Sequence, residues 1–320
     1  MFQARLVLMV TLAAAACSAA AQEFPVRPLK IVQGFAAGGN ADTAARILAN
    51  EMSKSLGQPI VVETRPGAGS TIAADVVAKA SPDGHTLLLV TGGHSVAGAL
   101  YKSLPYQTVA SFDMISTATF FPFLILVRGD SPAQNLRALL DAARAKPDTV
   151  SFGSAGVGAT QHLTGELLAR MAQVKLLHIP YKGDTAAIAA LLGDEIRFVI
   201  APATAALGQL RAGKLRALAA TGSTRWDGLP EVPTVAEAGV ADFDVRSWMG
   251  LATTHGTPRS PVERLNAAML RALQVPEVRA KFVEMGGEVR SSTPEEMRTR
   301  VEHELQNWTR VIREAGIERQ

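Results

Sequence analysis

The chain of 320 residues has a single cysteine, Cys17, which lies inside its first apolar stretch. Without that stretch the chain is expected to form no disulfide, thiolate metal site or cysteine nucleophile. Charge is scarce and almost balanced, with 32 Lys and Arg against 29 Asp and Glu and a formal net charge of +3. The isoelectric point near 9.1 reflects a slight excess of cations spread along the chain. No basic run is present, so no nucleic-acid partner is expected. Beyond the N-terminus no segment is long and apolar enough to span a bilayer. The six histidines, His85, His94, His162, His178, His255 and His303, form neither an HExxH pattern nor a close pair. No metal site and no cofactor is expected from them. Ser154, in Phe152-Gly153-Ser154-Ala155-Gly156, lacks the first glycine of a nucleophile elbow and reads as a hydrogen-bond donor. Gly208 to Lys214 has the spacing of a phosphate loop, but Leu215 stands where Ser or Thr must hold magnesium. With no credible nucleophile, base or metal, an enzyme is not expected.

Met1 to Ala21 has the layout of an export signal. Arg5 supplies the basic start, Leu6 to Ala16 the apolar stretch, and Ala19-Ala20-Ala21 a small-residue cleavage site. Cleavage there would leave about 300 residues, enough for two lobes with separate cores. Lipidation at Cys17 is the alternative; Ala14 stands where such boxes usually carry leucine. Either way the protein is expected outside the cytoplasmic membrane.

Apolar runs alternate with helical patterns nearly throughout, which predicts an α/β fold with parallel or mixed sheets. Strands are expected at Leu29–Gln33, Ile60–Glu63, Thr86–Thr91, Leu124–Val127, Thr149–Phe152, Leu176–Ile179, Ile196–Ile200, Leu215–Ala220 and Ser247–Ala252. Three helix starts are expected at Ser131-Pro132, Ser260-Pro261 and Thr293-Pro294, each with a cap, a proline and Glu or Gln three residues on. The last opens a helix whose Met297, Val301, Leu305, Trp308, Val311 and Ile312 form a core stripe. Thr221 to Pro233 reads as a long polar connection over the surface.

The stretch Leu29 to Leu56 is the most informative. An apolar strand gives way to Ala36–Gly39, then to Asn40 and Asp42, then to a helix with Ala44, Ile47, Leu48, Met52 and Leu56 on one face. Its first N–H groups lack intrahelical partners and carry about half a positive charge between them, which suits an anion or a carbonyl oxygen. Gly38 and Gly39 admit a close-approaching ligand. One such loop alone can be an ordinary strand-to-helix turn. Related loops recur at Thr91–Ser95, Ser151–Thr160 and Pro180–Thr185. In the third, Thr160 is the expected helix cap; in the fourth, Asp184 or Thr185. Lys182 reads equally as a solvated charge or as one guarding a cleft.

Seven segments in order, PLKIVQGFAAGGNAD, GQPIVVETRPGAGS, SPDGHTLLL, SFGSAGVGATQHLTGELL, IPYKGDTAAIAALLGDEI, AGKLRALAATG and LPEVPTVAEAG, resemble the Bug-type substrate-binding proteins of tripartite tricarboxylate transporters. The resemblance covers essentially the whole chain after the signal. It implies a two-lobed periplasmic binding protein, type II-like, with a ligand cleft between lobes and two crossing hinge segments near Pro122–Leu126 and Arg246–Gly250. The lobes would be 24–123 plus 248–320, and 124–247. It further implies that a small organic carboxylate is held by backbone amides, hydroxyls and water. The matching positions are Phe35, Ala37, Gly38, Asn40 and Asp42; Thr91 and His94; Ser154, Gly158 and Thr160; Tyr181, Gly183 and Thr185; and Ala203. Asp42 is expected to brace loop amides, since a carboxylate beside an anion would repel it. Gly34, Ala36 and Ala37 depart from the family's common prolines, Ser70 from its glycine and His85 from its tyrosine. Ala201-Pro202-Ala203-Thr204 offers no acid for a ligand amine, which favours a plain mono- or dicarboxylate over an amino acid. The implied role is that of a monomeric carrier serving membrane permease subunits. A receptor acting on a membrane sensor, and less readily a secreted hydrolase, are the alternatives.

Overall fold

The computed structural model describes residues 23–320; the expected signal, with Cys17, lies outside the described residues. Strand β1 (Leu29–Gln33) lies parallel to β2 (Ile60–Thr64) on one side and β3 (Thr86–Thr91) on the other. A second parallel set joins β5 (Ser151–Ser154) to β6 (Leu177–Pro180) and β7 (Phe198–Pro202). Two long antiparallel strands connect the sets. The first, β4 (Phe112–Arg128), pairs with β9 (Arg246–Thr254) as far as Pro122. From Phe123 it pairs instead with β7 and with β8 (Leu215–Ala220). Strand β9 closes the first set by pairing with β3, and the short β10 (Glu288–Val289) pairs with β4. The main path runs β2-β1-β3-β9-β4-β7-β5-β6. The result is a two-lobed mixed α/β fold in which β4 serves both lobes.

Each parallel strand except β2, which passes through a short 3₁₀ turn, leads almost directly into a helix. Strand β1 feeds α1 (Asn40–Leu56), β2 feeds α2 (Thr71–Ala78) and β3 feeds α3 (Gly92–Leu100). In the other set, beyond α4 (Leu136–Ala145), β5 feeds α5 (Thr160–Met171), β6 feeds α6 (Asp184–Leu192) and β7 feeds α7 (Ala203–Arg211). Helix starts therefore gather at the carboxyl ends of the strands, where open α/β sheets bind ligands. Helix α1 holds because Ala44, Leu48, Met52 and Leu56 fall on one face and are buried in the core. Burying a Leu or Met of this kind stabilises by about 1.5–3 kcal/mol. Gly57, in a left-handed conformation, ends it.

Helices α8 (Arg259–Gln274), α9 (Pro276–Glu284) and α10 (Pro294–Ala315) complete the chain. Helix α10 buries Met297, Val301, Trp308 and Ile312 along its expected stripe. It starts on a full capping box between Thr293 and Glu296.

Several local expectations are corrected. Ser131 stays in a turn, and α4 starts five residues later, where the apolar spacing Leu136, Leu139, Leu140 and Ala143 begins; Asn135 caps it by accepting from Ala138 N–H. Helix α8 starts at Arg259, so Ser260 lies inside it; Pro261 is tolerated there because first-turn N–H groups have no intrahelical partner. Ala159 and Gly183 occupy the cap positions of α5 and α6, which leaves Thr160 and Asp184 as first helical residues. The run Leu124–Val127 is only the end of β4, whose polar Ser116, Thr117 and Thr119 hide its strand pattern. The connection after β8 is not wholly superficial: Thr221, Val232 and Thr234 are buried.

Candidate ligand-binding site

Between the two strand sets lies a cavity with about 330 Å3 of space free of atoms, part of it open to solvent. Five helix starts meet at its wall. Asn40 and Ala41 open α1, Thr160 and Gln161 open α5, and Asp184 opens α6, while Thr91 and Pro202 directly precede α3 and α7. First-turn amides lack intrahelical acceptors, and each helix start carries a partial positive charge. No lysine or arginine lines the cavity among the described residues. The crossing strands form the floor: Phe121 and Phe123 from β4, and Ser247 and Met249 from β9. The site thus combines apolar walls with converging amides and hydroxyls, a combination suited to a small anion with an apolar body.

The loop that opens α1 is braced from below. Gln33 Oε1 accepts from Phe35 N–H at 2.8 Å, and Gln33 Nε2 donates to Thr64 Oγ1 at 2.9 Å. Asp42 accepts from Gly38 N–H at 3.0 Å and pairs with Arg46 at 2.9 Å. Burial raises the Asp42 pKa, but the bonds from Arg46, Gly38 and Gln33 outweigh it and hold the carboxyl below its usual range. Asp42 stays ionised with its oxygens turned to the loop and to Arg46.

Of the fourteen positions matched from the sequence, Phe35, Asn40, Thr91 and Thr160 line the cavity. Ala37 and Gly38 sit exposed on the turn before α1, and Asp42 faces the loop as described. His94 lies away from the cavity, its Nε2 2.7 Å from the Thr108 carbonyl oxygen and its ring stacked on Tyr106. Ser154 is fully buried; its Oγ shares a 2.6 Å hydrogen bond with His178 Nε2 and accepts from Gly156 N–H. Gly158, with positive φ, packs close to Tyr101. Tyr181 continues the β6 edge by donating its N–H to the Ser154 carbonyl. Ala203 is buried against Gly286.

Gly183 and Thr185 belong to the seam where the two strand sets meet. Ala36 N–H donates to the Lys182 carbonyl at 3.2 Å, and an added Cβ on Gly183 would stand 3.0 Å from Ala36 N. The Lys182 side chain itself is exposed. Thr204 Oγ1 lies 2.9 Å from Asn40 Oδ1, and Thr160 Oγ1 lies 3.5 Å from Ser247 Oγ. These contacts join residues of the two strand sets directly.

Sequence reasoning misses Gln161, Asp184 and the floor residues. From sequence Asp184 reads as a helix cap, and the floor strands as hinge only. His94, His162 and His178 stay neutral. Burial lowers the pKa of His94 and His162 to about 4, and burial together with the neighbouring His162 lowers His178 to about 3. Ser154 is sealed from solvent beside His178.

Comparison with known proteins agrees with this geometry. The structure of the periplasmic binding protein BugD superposes with a TM-score of 0.89 at 36% identity, covering 93% of this chain and 100% of that one. A Rhodopseudomonas palustris protein solved with adipate gives 0.89 at 32% identity, over 92% and 99% of the two chains. MatC from Rhodopseudomonas palustris, solved with bound malate, gives 0.87 at 36% identity, over 90% and 100%. The family model described as the tripartite tricarboxylate transporter family receptor, TctC, matches residues 44–317. This chain therefore belongs to the TctC family of solute-binding receptors, among the Bug-type proteins.

Proposed function

We propose that the protein captures a small organic carboxylate outside the cytoplasmic membrane and delivers it to a tripartite tricarboxylate-type permease. The observation that carries this reading is the meeting of five helix starts at one cavity that no lysine or arginine lines. Such a wall holds an anion through dipoles and amides without a fixed cation. The adipate and malate held by two relatives point to the same ligand class. In this reading lobe 1 comprises 24–123 and 248–320, and lobe 2 comprises 124–247. The chain would cross between them at Phe123 and Ser247, beside the floor residues, so that closure and ligand contact are one event. Asn40, Thr91, Thr160 and Gln161 supply the polar contacts, and Phe35, Phe121, Phe123 and Met249 the apolar ones. The layout of the first 21 residues and the periplasmic relatives support a periplasmic location for the carrier.

Mass spectrometry of small molecules released from the purified protein tests the reading. A stoichiometric mono- or dicarboxylate, released unchanged, is expected. A neutral or cationic molecule in its place would overturn it.

A further inference from the structure

Asp184 stands out within the cavity wall. It is the one ionisable side chain among the lining residues, with 7% of its surface exposed. Gln161 Nε2 donates to its Oδ1 at 2.8 Å. Its Oδ2 accepts no hydrogen bond from any described residue. A buried carboxyl that lines a cavity, with one oxygen satisfied and the other bonded to no described residue, has unused hydrogen-bonding capacity.

No charged partner explains it. On the neighbouring elements, Asp42 of α1 is engaged by Gly38, Gln33 and Arg46. His94 of α3 is bonded to Thr108, and His162 of α5 stacks on His178. Glu166 of α5 lies 3.8 Å from His162 Nε2 and does not line the cavity, and the Lys182 side chain before α6 is exposed. Strands β4 and β9 and the start of α7 present no ionisable group to the cavity. Two opposing effects act on the Asp184 charge. The α6 start favours the carboxylate. Burial opposes it and, with the Gln161 bond acting the other way, leaves the carboxyl pushed up to about 7. A carboxylate ligand entering the same cavity adds a like charge, which raises the pKa further.

Resting on the carboxylate reading above, we propose that Asp184 binds the ligand in protonated form. Its Oδ2–H donates to a ligand carboxylate oxygen, and the proton is taken from solvent as the ligand enters. The Gln161 bond fixes which oxygen stays an acceptor, so the hydrogen is aimed at the ligand. Binding is then coupled to uptake of one proton, and the receptor favours a plain carboxylate over a ligand whose ammonium would need an ionised acid. The substitution Asp184→Asn would reproduce the arrangement: the amide carbonyl accepts from Gln161 and the amide N–H donates to the ligand.

The test is calorimetric titration of wild type and Asp184→Asn with adipate and malate at about pH 6.5 and about pH 8.5, each in buffers of different ionisation heat. For wild type, the expected result is an affinity roughly tenfold or more weaker at the higher pH, with close to one proton taken up per ligand there. Asp184→Asn is expected to bind at both pH values without proton uptake. A carbon-13 titration of the Asp184 carboxyl in the free protein reads the same group without ligand, with a midpoint near 7 expected. A midpoint in the ordinary range near 4 would overturn the proposal. So would binding without proton uptake, or loss of binding in Asp184→Asn, and either would leave the carboxylate reading standing. If neither these acids nor any other mono-, di- or tricarboxylate binds wild type at any pH, the carboxylate reading fails and the proposal falls with it.

Discussion

Thr221 Oγ1 donates to the Val245 carbonyl at 2.7 Å while accepting from Phe123 N–H at 2.9 Å. The Thr221 backbone repeats both links, its N–H reaching the Phe123 carbonyl and its carbonyl receiving the Val245 N–H. One buried threonine thus fastens together the two segments that cross between the strand sets. This position lies in a stretch whose composition reads as surface loop, and only the long-range pairing reveals it.

Thr221→Val keeps the volume and removes the hydroxyl, leaving the Phe123 amide and the Val245 carbonyl one bond short. A destabilisation of about 1–3 kcal/mol is expected, visible as a lowered urea midpoint with an unchanged slope. An unshifted midpoint would show that the side-chain clamp contributes nothing beyond the backbone links.

Gly69 packs directly against the backbone of Val157, Gly158 and Ala159 before α5. Its φ of +61° is left-handed, and an added Cβ would stand 2.5 Å from the Val157 carbonyl oxygen. Gly69→Ala should disfavour the closed arrangement, weakening ligand affinity by about tenfold through the lowered closed population. Small-angle scattering should show a larger radius of gyration without ligand. Wild-type affinity in this variant would separate closure from binding.

Three histidines, His94 and His162 buried and His178 half-buried, act on the acid response. In the unfolded chain each binds a proton near pH 6.5, whereas in the fold His94 and His162 resist until about 4 and His178 until about 3. The unfolded state therefore holds more protons over that window, and stability falls as pH falls. Asp184, raised to about 7, acts in the opposite sense because the folded state holds its proton down to the unfolded carboxyl range. Burial raises Glu166 and Glu304 as well, and with Asp184 they offset the histidine loss, which is on the order of 1 kcal/mol per histidine per pH unit between about 6 and 5. Urea midpoints at pH 6 and 5 for wild type and His94→Gln isolate one histidine, the variant being expected to lose about 1 kcal/mol less over that unit; equal losses would contradict neutral burial of His94.

The start of α10 offers a local control. Thr293→Ala removes the side-chain half of its capping box and should cost about 1 kcal/mol, with no change in ligand affinity. A parallel loss of affinity would mean that α10 is coupled to the cavity.

Local signals carry much of the fold. Strands β1, β3 and β8 are legible to the residue, because each is a short, mostly apolar run bounded by turns. The Thr293 cap is legible for the same reason, since all its parts lie within four residues. Strand β4 is not, because half its length pairs through polar Ser116, Thr117 and Thr119, whose burial depends on partners elsewhere in the chain. At the site, Phe35, Asn40, Thr91 and Thr160 stand where strand-loop-helix turns can be recognised. Asp184 is visible as a residue, but its burial beside Gln161 comes from the packing of α5 against the β6–α6 turn, which spacing alone does not encode. Ser247 and Met249 are hidden in the same way, since an alternating strand does not declare which face meets a cavity.

The central claim, that the cavity between the strand sets receives one organic carboxylate, is tested most directly by calorimetric titration of the ligand-free protein with mono-, di- and tricarboxylates. The account predicts saturable binding of one molecule per chain for at least one of them, at a dissociation constant near micromolar, equivalent to about 8 kcal/mol. Absence of binding across the whole series, with the protein folded, would contradict it.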